Sequence, residues 1–295
     1  MIHIPVLQKE VLEYLDPKPN ENFIDCTIGG AGHALAILER NGPKGKVLGI
    51  EWDPELYKKL SRSNLNRLKA RLILVNDNFA NLEEIAKSQK FRSVSGILFD
   101  LGMSSWHLEG SSRGFSFSKE EPLDMRYNPQ NPLTAARIVN YYSSQEIEKI
   151  LKEYGEERFA KKIANEIITI RKIKPIETTF QLAEIIRRAT PSWYHRKKIH
   201  PATRTFQAIR IAVNDELNNL RKILPQTIEI LKLGGRLVVI SFHSLEERII
   251  KNFLKEKAKE NILKILTKKP VRPGQIEIKF NLRSRSAKLR AAEKL

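Results

Sequence analysis

The segment Asn22-Phe23-Ile24-Asp25-Cys26-Thr27-Ile28-Gly29-Gly30-Ala31-Gly32 decides the fold predicted for this chain of 295 residues. Its first half is typical of a short buried β-strand, and its second half is a glycine-rich turn. Glycine permits a tight turn and lets a ligand approach the backbone closely, so the segment indicates a nucleotide-binding βαβ unit. Taken alone, such a turn also occurs in NAD enzymes, in other nucleotide binders and in loops that bind nothing.

More strands are predicted on the C-terminal side of this segment. Continuous apolar runs predict strands at 46–51, 71–76 and 94–100, and helical spacing predicts helices at 33–39 and 55–68. Strands that are apolar throughout belong in a parallel sheet that helices cover on both faces. The predicted fold class is therefore α/β, with a parallel sheet built from βαβ units.

A long segment without strand patterns interrupts this sheet. Apolar residues recur there at helical spacing, the last such set running from Phe206 to Leu220, and an apolar strand pattern returns at 234–242. The sequence therefore predicts one discontinuous α/β domain, residues 1–109 and 218–295, with a helical domain inserted at 110–217. Three pairs have the spacing of a helix capping box: Ser143 with Glu146, Thr178 with Gln181, and Ser244 with Glu247.

The composition favours a polyanionic partner and an intracellular location. Lys and Arg number 52 against 34 Asp and Glu, a net charge of +18, and nucleic acid is the commonest partner of so basic a protein. The single cysteine excludes an intrachain disulfide and fits the reducing cytoplasm. No signal-peptide pattern and no apolar run of membrane-spanning length occur, so we expect a soluble cytoplasmic protein without membrane association. The sequence leaves the oligomeric state open between monomer and homodimer.

Two acidic residues narrow the choice of ligand. Asp25 ends the first strand, where a dinucleotide-binding fingerprint keeps an apolar residue, and a carboxylate there suits a cationic amino group better than a pyrophosphate. Glu51 ends the second strand, 21 positions after Gly30, where a carboxylate can bind both ribose hydroxyls. The pair indicates S-adenosyl-L-methionine, although both carboxylates could instead only cap the helices that follow.

Three further residues are candidates for the same site. Asp100 ends the fourth strand, at the edge where open α/β sheets bind ligands and perform chemistry. Phe79 follows the third strand and could flank an adenine ring, or it could be an ordinary core aromatic. His33 could contact the ligand, or it could be a first-turn helix residue without a contact role.

Longer strings of residues resemble one known family over nearly the whole chain and in the same order. They are His3-Ile4-Pro5-Val6-Leu7, Asp25 to His33, Asp100-Leu101-Gly102-Met103-Ser104-Ser105, Arg113-Gly114-Phe115-Ser116-Phe117, Pro122-Leu123-Asp124-Met125-Arg126, His200 to Gln207, and Ser241-Phe242-His243-Ser244-Leu245-Glu246. The chain resembles the bacterial small-subunit ribosomal RNA (cytosine-N4)-methyltransferases, the MraW or RsmH family. These strings are far more specific than a glycine-rich turn.

The resemblance implies a class I (Rossmann-like) methyltransferase sheet with an inserted all-helical domain for substrate recognition. It also implies that S-adenosyl-L-methionine is the methyl donor and that the acceptor is N4 of a cytidine in the decoding region of 16S ribosomal RNA. The partner would be this RNA or the 30S particle. The implied donor contacts are Ala31, Gly32, His33, Glu51, Phe79, Asp100 and His107, and the residue patterns add Asp25, Gly29 and Gly30. This chain departs from the family at Glu51 (commonly Asp), Cys26 (commonly Gly) and Trp106-His107 (commonly Pro-Gln).

The exocyclic amine of cytosine is a poor nucleophile because its lone pair is delocalised into the ring. Hydrogen-bond acceptors facing that amine would restore electron density to its nitrogen, and the acceptor must be held in line with the donor. Asp100 with Ser104 and Ser105 behind it are the predicted acceptors. Methylation at carbon-5 would need a cysteine nucleophile, and Cys26 lies on the donor side of the predicted fold. No residue cluster has metal-ligand spacing, and this reaction needs no metal.

RNA contact is predicted at two basic segments. The first is the C-terminal segment 281–290, and the second is the segment 187–198 of the insertion, where Trp193 and Tyr194 could stack an unpaired base. The cations predicted to bind RNA are Arg283, Arg285, Lys288, Arg196, Lys197 and Lys198.

Three other functions remain open from the residues alone. The first is a methyltransferase that acts on DNA or on a protein side chain, since basic charge cannot separate RNA from DNA. The second is an NAD-dependent dehydrogenase, which Asp25 and the lack of a second βαβαβ half disfavour. The third is an RNA-binding or ribosome-assembly factor without catalysis, which would not need Asp25, Glu51 and Asp100.

Overall fold

The computed structural model describes residues 5–63, 70–196 and 198–295. The chain divides into two compact units, which we call the sheet unit (Met1–Ser104 and Leu217–Leu295) and the helical unit (Ser105–Glu216). The sequence predicted domain boundaries after residues 109 and 217. The two units divide after Ser104 and after Glu216. Within the described residues, no helix is both long and apolar enough to cross a membrane.

The described part of the sheet unit forms one seven-stranded sheet with the order β3-β2-β1-β4-β5-β7-β6. The strands are β1 Asn22–Asp25, β2 Val47–Glu51, β3 Leu72–Asn76, β4 Val94–Asp100, β5 Leu231–Ser241, β6 Leu263–Ile265 and β7 Lys288–Lys294. Strands β1 to β5 pair in parallel, and β7 is antiparallel to both β5 and β6. The order of the strands reverses between β1 and β4, which is where open α/β sheets bind their ligands.

Helices cover both faces of this sheet, as the apolar strands predict. Those of the sheet unit are α1 Gln8–Leu15, α2 Gly32–Arg40, α3 Pro54–Arg62, α4 Leu82–Ser88, α11 Glu216–Ile230, α12 Ser244–Lys259 and α13 Gln275–Phe280. Alternate residues of β4 go to opposite faces. Leu98 lies in a core cluster with residues of α1 and α2, while Ile97 and Phe99 lie in a second cluster with residues of α4, α11 and α12.

The four strands predicted in the first hundred residues are confirmed to within one residue at either end. The helix predicted at 55–68 is α3, which begins at Pro54, because the side chain of Asp53 accepts a hydrogen bond from the amide of Glu55. The prediction was too long, since α3 ends at Arg62. Of its remaining residues, 64–68 lie outside the described part of the chain.

The helical unit packs its helices around its own apolar core. They are α5 Ala135–Tyr141, α6 Ser144–Gly155, α7 Ala160–Arg171, α8 Thr179–Ala189, α9 Ser192–His195 and α10 Ala202–Asn214. The capping boxes predicted for α6 and α8 are confirmed, with Ser143 and Thr178 as the N-cap residues. The helical spacing predicted from Phe206 to Leu220 is confirmed, and it is shared by two helices, because Asp215 has a left-handed backbone (φ 51°) and separates α10 from α11.

The third predicted capping box is displaced. The box at the start of α12 pairs His243 with Glu246, and Ser244 is the first residue of the helix. The reason lies in the preceding strand, which ends at Ser241 and leaves His243 with the extended backbone that an N-cap requires. His243 is therefore a capping residue, and its Nε2 lies 3.1 Å from Oε1 of Glu246.

The C-terminal segment is part of the sheet, which the sequence patterns did not predict. Strand β7 lies between β5 and β6, and its Arg290 is buried. The guanidinium of Arg290 donates hydrogen bonds of 2.9 and 2.7 Å to Oε1 of Glu247 on α12. The prediction of a basic RNA-binding segment through residue 290 is thus wrong at its end, because Arg290 has its charge neutralised inside the fold.

Candidate active site at the carboxyl edge of the sheet

Four neighbouring strands end in polar residues at one edge of the sheet. Asp25, Glu51, Asn76 and Asp100 are the last residues of β1, β2, β3 and β4. These strands are parallel, so their carboxyl ends lie side by side. The structure thus brings the three acidic residues singled out from the sequence to one edge.

The glycine-rich turn joins β1 to α2 at this edge. Gly29 (φ 49°) and Ala31 (φ 63°) both have left-handed backbones, and the amide of Ala31 closes the turn on the carbonyl of Ile28 at 2.7 Å. At Gly32, a side chain would collide with the ring of Pro5. Glycine is therefore required at position 32 by packing, and at position 29 it satisfies the backbone conformation without strain.

Glu51 lies beneath this turn with its carboxyl buried. Oε1 accepts a hydrogen bond from the amide of Asp53 at 2.9 Å, and the amide of Gly29 also bonds to the carboxyl. Burial raises the pKa of Glu51 to about 8, and those two hydrogen bonds oppose the rise. A buried carboxyl of this kind is stabilised by any ligand that donates hydrogen bonds to it.

Asp25 is also buried, with 1% of its surface exposed. Its Oδ1 accepts a hydrogen bond from the amide of Thr27 at 3.1 Å. Burial raises the pKa of Asp25 to about 6, and the charges of His33 and Asp100 lower and raise it respectively. A cationic ligand group beside this carboxyl would favour its ionised form.

Asp100 is held at the edge by the turn that follows β1. Its amide donates to the hydroxyl of Thr27 at 2.7 Å, and its Oδ1 accepts from the amide of Gly102 at 3.2 Å. Its other oxygen, Oδ2, lies 3.5 Å from Nε2 of His33. Thr27 was missed in the sequence, although a hydroxyl residue directly after a strand with Asp at its end was a usable signal.

His33 places an unsatisfied polar ring in the same place. Its side chain is buried, and within the described residues neither ring nitrogen has a hydrogen-bond partner. Buried polar atoms are normally satisfied, so a buried ring that makes no hydrogen bond and only a 3.5 Å ionic contact with Asp100 indicates a ligand.

The two predicted serines and His107 fall on either side of the unit boundary. Ser104 is buried in the sheet unit, where its Cβ lies 3.9 Å from the position that a Cβ would take at Gly29. Ser105 begins the helical unit. In that unit His107 is buried with its ring 5.2 Å from Phe115 and 4.8 Å from Tyr127, centroid to centroid. The donor contact of His107 and the acceptor role of Ser105 stay predictions.

Phe79 follows β3 and begins a short 3-10 turn, Phe79–Asn81. Its half-buried ring meets the ring of Phe99 edge to face, with centroids 5.9 Å apart. The side chain thus packs in the core and is also partly accessible. Contact with an adenine ring and a purely structural role in the core both stay open for Phe79.

Some segments that carry the family resemblance have a structural role within the helical unit. Arg113 is buried, and its Nη1 donates to the carbonyls of Arg126 and Tyr127 at 2.9 Å each. Arg126 pairs with Asp124 at 2.7 Å. These residues hold a loop in place, so their presence in a recognised string does not by itself assign them to chemistry.

The predicted RNA-binding cations have different surroundings. Arg283 and Arg285 are exposed in the 3-10 turn Leu282–Ser286, while Lys288 is half-buried at the start of β7. Arg196 and Lys198 are exposed in the helical unit, and Lys197 lies outside the described residues. Tyr194 corrects a prediction, because it is buried with its hydroxyl bonded to Glu157 and cannot stack a base.

The residues at the sheet edge fit S-adenosyl-L-methionine. Glu51 offers a buried carboxyl for ribose hydroxyls, and Asp25 offers one for a cationic amino group. The amide of Gly29 bonds to Glu51, the amide of Thr27 bonds to Asp25, and the buried ring of His33 adds a polar group. A pyrophosphate would meet two carboxyls at this edge, so a dinucleotide fits poorly.

The strand order and this edge define a class I (Rossmann-like) methyltransferase, with the first strand in the middle of the sheet and an antiparallel seventh strand beside the fifth. The chain belongs to the MraW methylase family, which it matches over residues 1–295. Its methyl donor is S-adenosyl-L-methionine.

Curated relatives match along the whole chain. A protein of Halothermothrix orenii named ribosomal RNA small subunit methyltransferase H is 47% identical, over 99% of this chain and 98% of its own length. Proteins of the same name from Heliobacterium mobile and Persephonella marina are each 45% identical, over 99% of both chains.

Proposed function

We propose that this methyltransferase acts on small-subunit ribosomal RNA and that its acceptor is the N4 amine of a cytidine in the decoding region. The observation that carries the proposal is Asp100, which stands at the reversal of strand order beside the glycine-rich turn. The names of the relatives, which match end to end, support the RNA class, and so does the net charge of +18. An enzyme with this substrate would work in the cytoplasm, on free RNA or on the 30S particle.

The chain's own residues divide the work of holding the donor. Glu51 would accept hydrogen bonds from the ribose, Asp25 would face the amino group, and Phe79 would lie against the adenine. When bound, the donor supplies an electrophilic methyl group on a positively charged sulfur. The buried carboxyls of the edge favour that positive charge because few waters compete with them.

Asp100 would act on the acceptor. Among the residues that the structure describes, its Oδ2 makes only the 3.5 Å approach to His33, so this oxygen has capacity to accept a hydrogen bond from the exocyclic amine. Such a bond shifts electron density toward the nitrogen as it attacks. Ser104 beside the turn and Ser105 are proposed as further acceptors that orient the base.

Methylation at carbon-5 of cytosine is disfavoured because the thiol of the single cysteine is buried. Cys26 is fully buried after β1, and burial raises the pKa of its thiol well above the ordinary value. Since the thiolate is the nucleophile in carbon-5 methylation, Cys26 is unsuited to that chemistry. The nitrogen acceptor needs no covalent intermediate.

Mass mapping of small-subunit RNA tests the proposed substrate. RNA from cells with and without this protein is digested to nucleosides and to fragments, and base-methylated cytidine isomers are separated by their fragmentation. We expect one N4-methylated cytidine of the decoding region to lose that methyl group when the protein is absent. An unchanged methylation map, or a loss confined to carbon-5 or to ribose, contradicts the proposal.

Substitution of Asp100 tests the proposed acceptor. Asp100→Ala should lower the methyl-transfer rate at least ~100-fold, the scale typical of a preorganised acceptor, while RNA affinity stays unchanged. Asp100→Asn keeps an oxygen that can accept from Gly102, so it separates loss of charge from collapse of the turn. Full activity in Asp100→Ala would remove this residue from the reaction.

A further inference from the structure

A cavity of about 560 Å³ opens to solvent within the helical unit. It is lined by Arg158, Tyr194, Lys198, Ile199 and Arg204. Among these described lining residues Arg158, Lys198 and Arg204 are cations, and Arg158 is far from the other two in the sequence. Of the three, only Lys198 was predicted from the sequence to contact RNA.

One wall of the cavity is formed by the side chain of Tyr194. The hydroxyl of Tyr194 donates to both oxygens of the buried Glu157, at 2.9 and 3.2 Å. Burial and this bond raise the pKa of Tyr194 to about 12, and the charges of Arg204 and Arg158 oppose the rise. Both guanidinium groups therefore lie near the same hydroxyl.

The cations are only partly engaged by the protein. Nη1 of Arg204 donates to the carbonyl of Glu156 at 2.9 Å, and no carboxylate of the described part of the chain forms an ion pair with its guanidinium. Arg158 lies with its guanidinium carbon 5.8 Å from the centroid of the Trp193 ring. Two acidic residues, Glu156 and Glu157, lie beside the cavity against its three cations, and the oxygens of Glu157 already accept from Tyr194 and from the amide of Phe159. The cavity thus carries an excess of positive charge.

The rim of the cavity adds exposed apolar surface. Trp193 is 46% exposed and Ile199 is 50% exposed. The Trp193 ring is held by edge contacts with Phe159 and Tyr194, with centroids 5.8 and 5.9 Å apart. A fixed, half-exposed indole beside a cationic cavity is a platform on which an unpaired base can stack.

We propose that this cavity is a subsite for the phosphodiester backbone of single-stranded RNA, with a neighbouring base stacked on Trp193. Arginine forks match phosphate oxygens, and a cavity between two arginines and a lysine holds one phosphate from several directions. The inference rests on the proposed function and extends it. It assigns RNA contact to Arg158 and Arg204, which lie outside the two basic segments predicted from the sequence.

The test measures binding of a fluorescent oligouridylate of about twelve nucleotides to the full chain over a range of salt concentrations. The pocket variant is Arg158→Gln with Arg204→Gln. The matched control is Lys172→Gln with Lys174→Gln, which removes the same charge from exposed residues at the other end of α7, roughly 18 Å away for its 12 residues.

We expect the pocket variant to lose affinity by about tenfold for each arginine, since each makes a charge-assisted contact. The slope of log affinity against log salt should fall by about 1.4, which corresponds to two fewer phosphate contacts on a single strand. Arg158→Lys with Arg204→Lys keeps the charges and should recover the slope with part of the affinity. If pocket and control variants bind alike, the subsite is refuted.

An uncharged morpholino oligomer of the same sequence separates phosphate binding from loss of folding. Wild type and pocket variant should bind it equally weakly, and a selective loss in the pocket variant would overturn the phosphate assignment. Methylation of small-subunit RNA by wild type is assayed in parallel. Absent methylation with cavity-dependent oligouridylate binding refutes the proposed function alone, and intact methylation with equal binding by both variants refutes the subsite alone.

Discussion

Replacing Glu51 with glutamine tests the electrostatics of the donor edge before any donor is added. The carboxyl lies under the glycine-rich turn, and burial raises its pKa from an ordinary 4.5 to about 8. The amides of Asp53 and Gly29 bond to it and oppose that rise. The substitution keeps the shape of the side chain and removes its ability to ionise.

The sign of the effect depends on whether the folded protein or the unfolded chain binds the proton of Glu51 more tightly. A carboxyl with a raised pKa in the folded protein keeps its proton to higher pH there than in the unfolded chain. Its contribution to stability is complete below pH 4.5 and is lost as the pH rises to about 8. The difference, 8 − 4.5 = 3.5 pH units at about 1.4 kcal/mol each, gives a loss of ~5 kcal/mol.

The assay is urea unfolding of the donor-free protein at about pH 5 and about pH 9. Most of the predicted loss of stability falls between these two pH values. The free energy of unfolding of Glu51→Gln, relative to wild type, should rise by several kcal/mol between the two conditions. Glu39→Gln, an exposed carboxyl on α2, is the matched control and should show a constant difference. If the difference in unfolding free energy between Glu51→Gln and wild type is the same at both pH values, the claim that folding raises the pKa of Glu51 is refuted.

Three other outcomes follow from the same contacts. The affinity for S-adenosyl-L-methionine should rise as the pH passes about 6, where Asp25 ionises, and Asp25→Asn should weaken binding and flatten this dependence in a calorimetric titration. Arg290→Met leaves the buried charge of Glu247 without the guanidinium and should cost about 3–5 kcal/mol in urea unfolding, without changing the salt dependence of RNA binding. Neutralising the three predicted cations of the C-terminal segment should lower that salt slope by about 2, and an unchanged slope would clear them of RNA contact. Those cations are Arg283, Arg285 and Lys288. The matched control neutralises three exposed lysines of α12: Lys251, Lys255 and Lys259.

The acidic edge was predictable because of a property of parallel sheets. Each apolar run marks a buried strand, and the carboxyl ends of parallel strands must meet, so Asp25, Glu51 and Asp100 could be placed together from their positions alone. The capping boxes of α6 and α8 were equally local, since three residues of spacing decide them.

Strand β7 was not predictable from local pattern. Its sequence, Lys288–Lys294, has charged side chains at four of seven positions, which is typical of a solvated segment. What allows its burial is the pairing of Arg290 with Glu247, 43 residues earlier, and pairing of that range leaves no local signature. The cationic cavity was hidden for the same reason, because Arg158 and Arg204 meet only in the folded helical unit.

Tyr194 shows the limit of reading aromatic residues among cations as stacking platforms. Its neighbour Trp193 is half-exposed, whereas Tyr194 is buried because Glu157 accepts its hydroxyl. Nothing in the spacing of these residues distinguishes the two. Only the distant carboxyl decides which aromatic ring faces solvent.

Calorimetric titration of S-adenosyl-L-methionine into the purified full chain, at about pH 8, tests the acidic edge most directly. We expect binding at one site per chain, with affinity about 10–100-fold lower in Glu51→Gln, since that variant loses charge-assisted bonds to the ligand. NAD, whose pyrophosphate would face the same carboxyls, should give no heat of binding. If no binding of S-adenosyl-L-methionine is measured at any pH, or if NAD binds as tightly, the proposal of a methyl-donor site at this edge is contradicted.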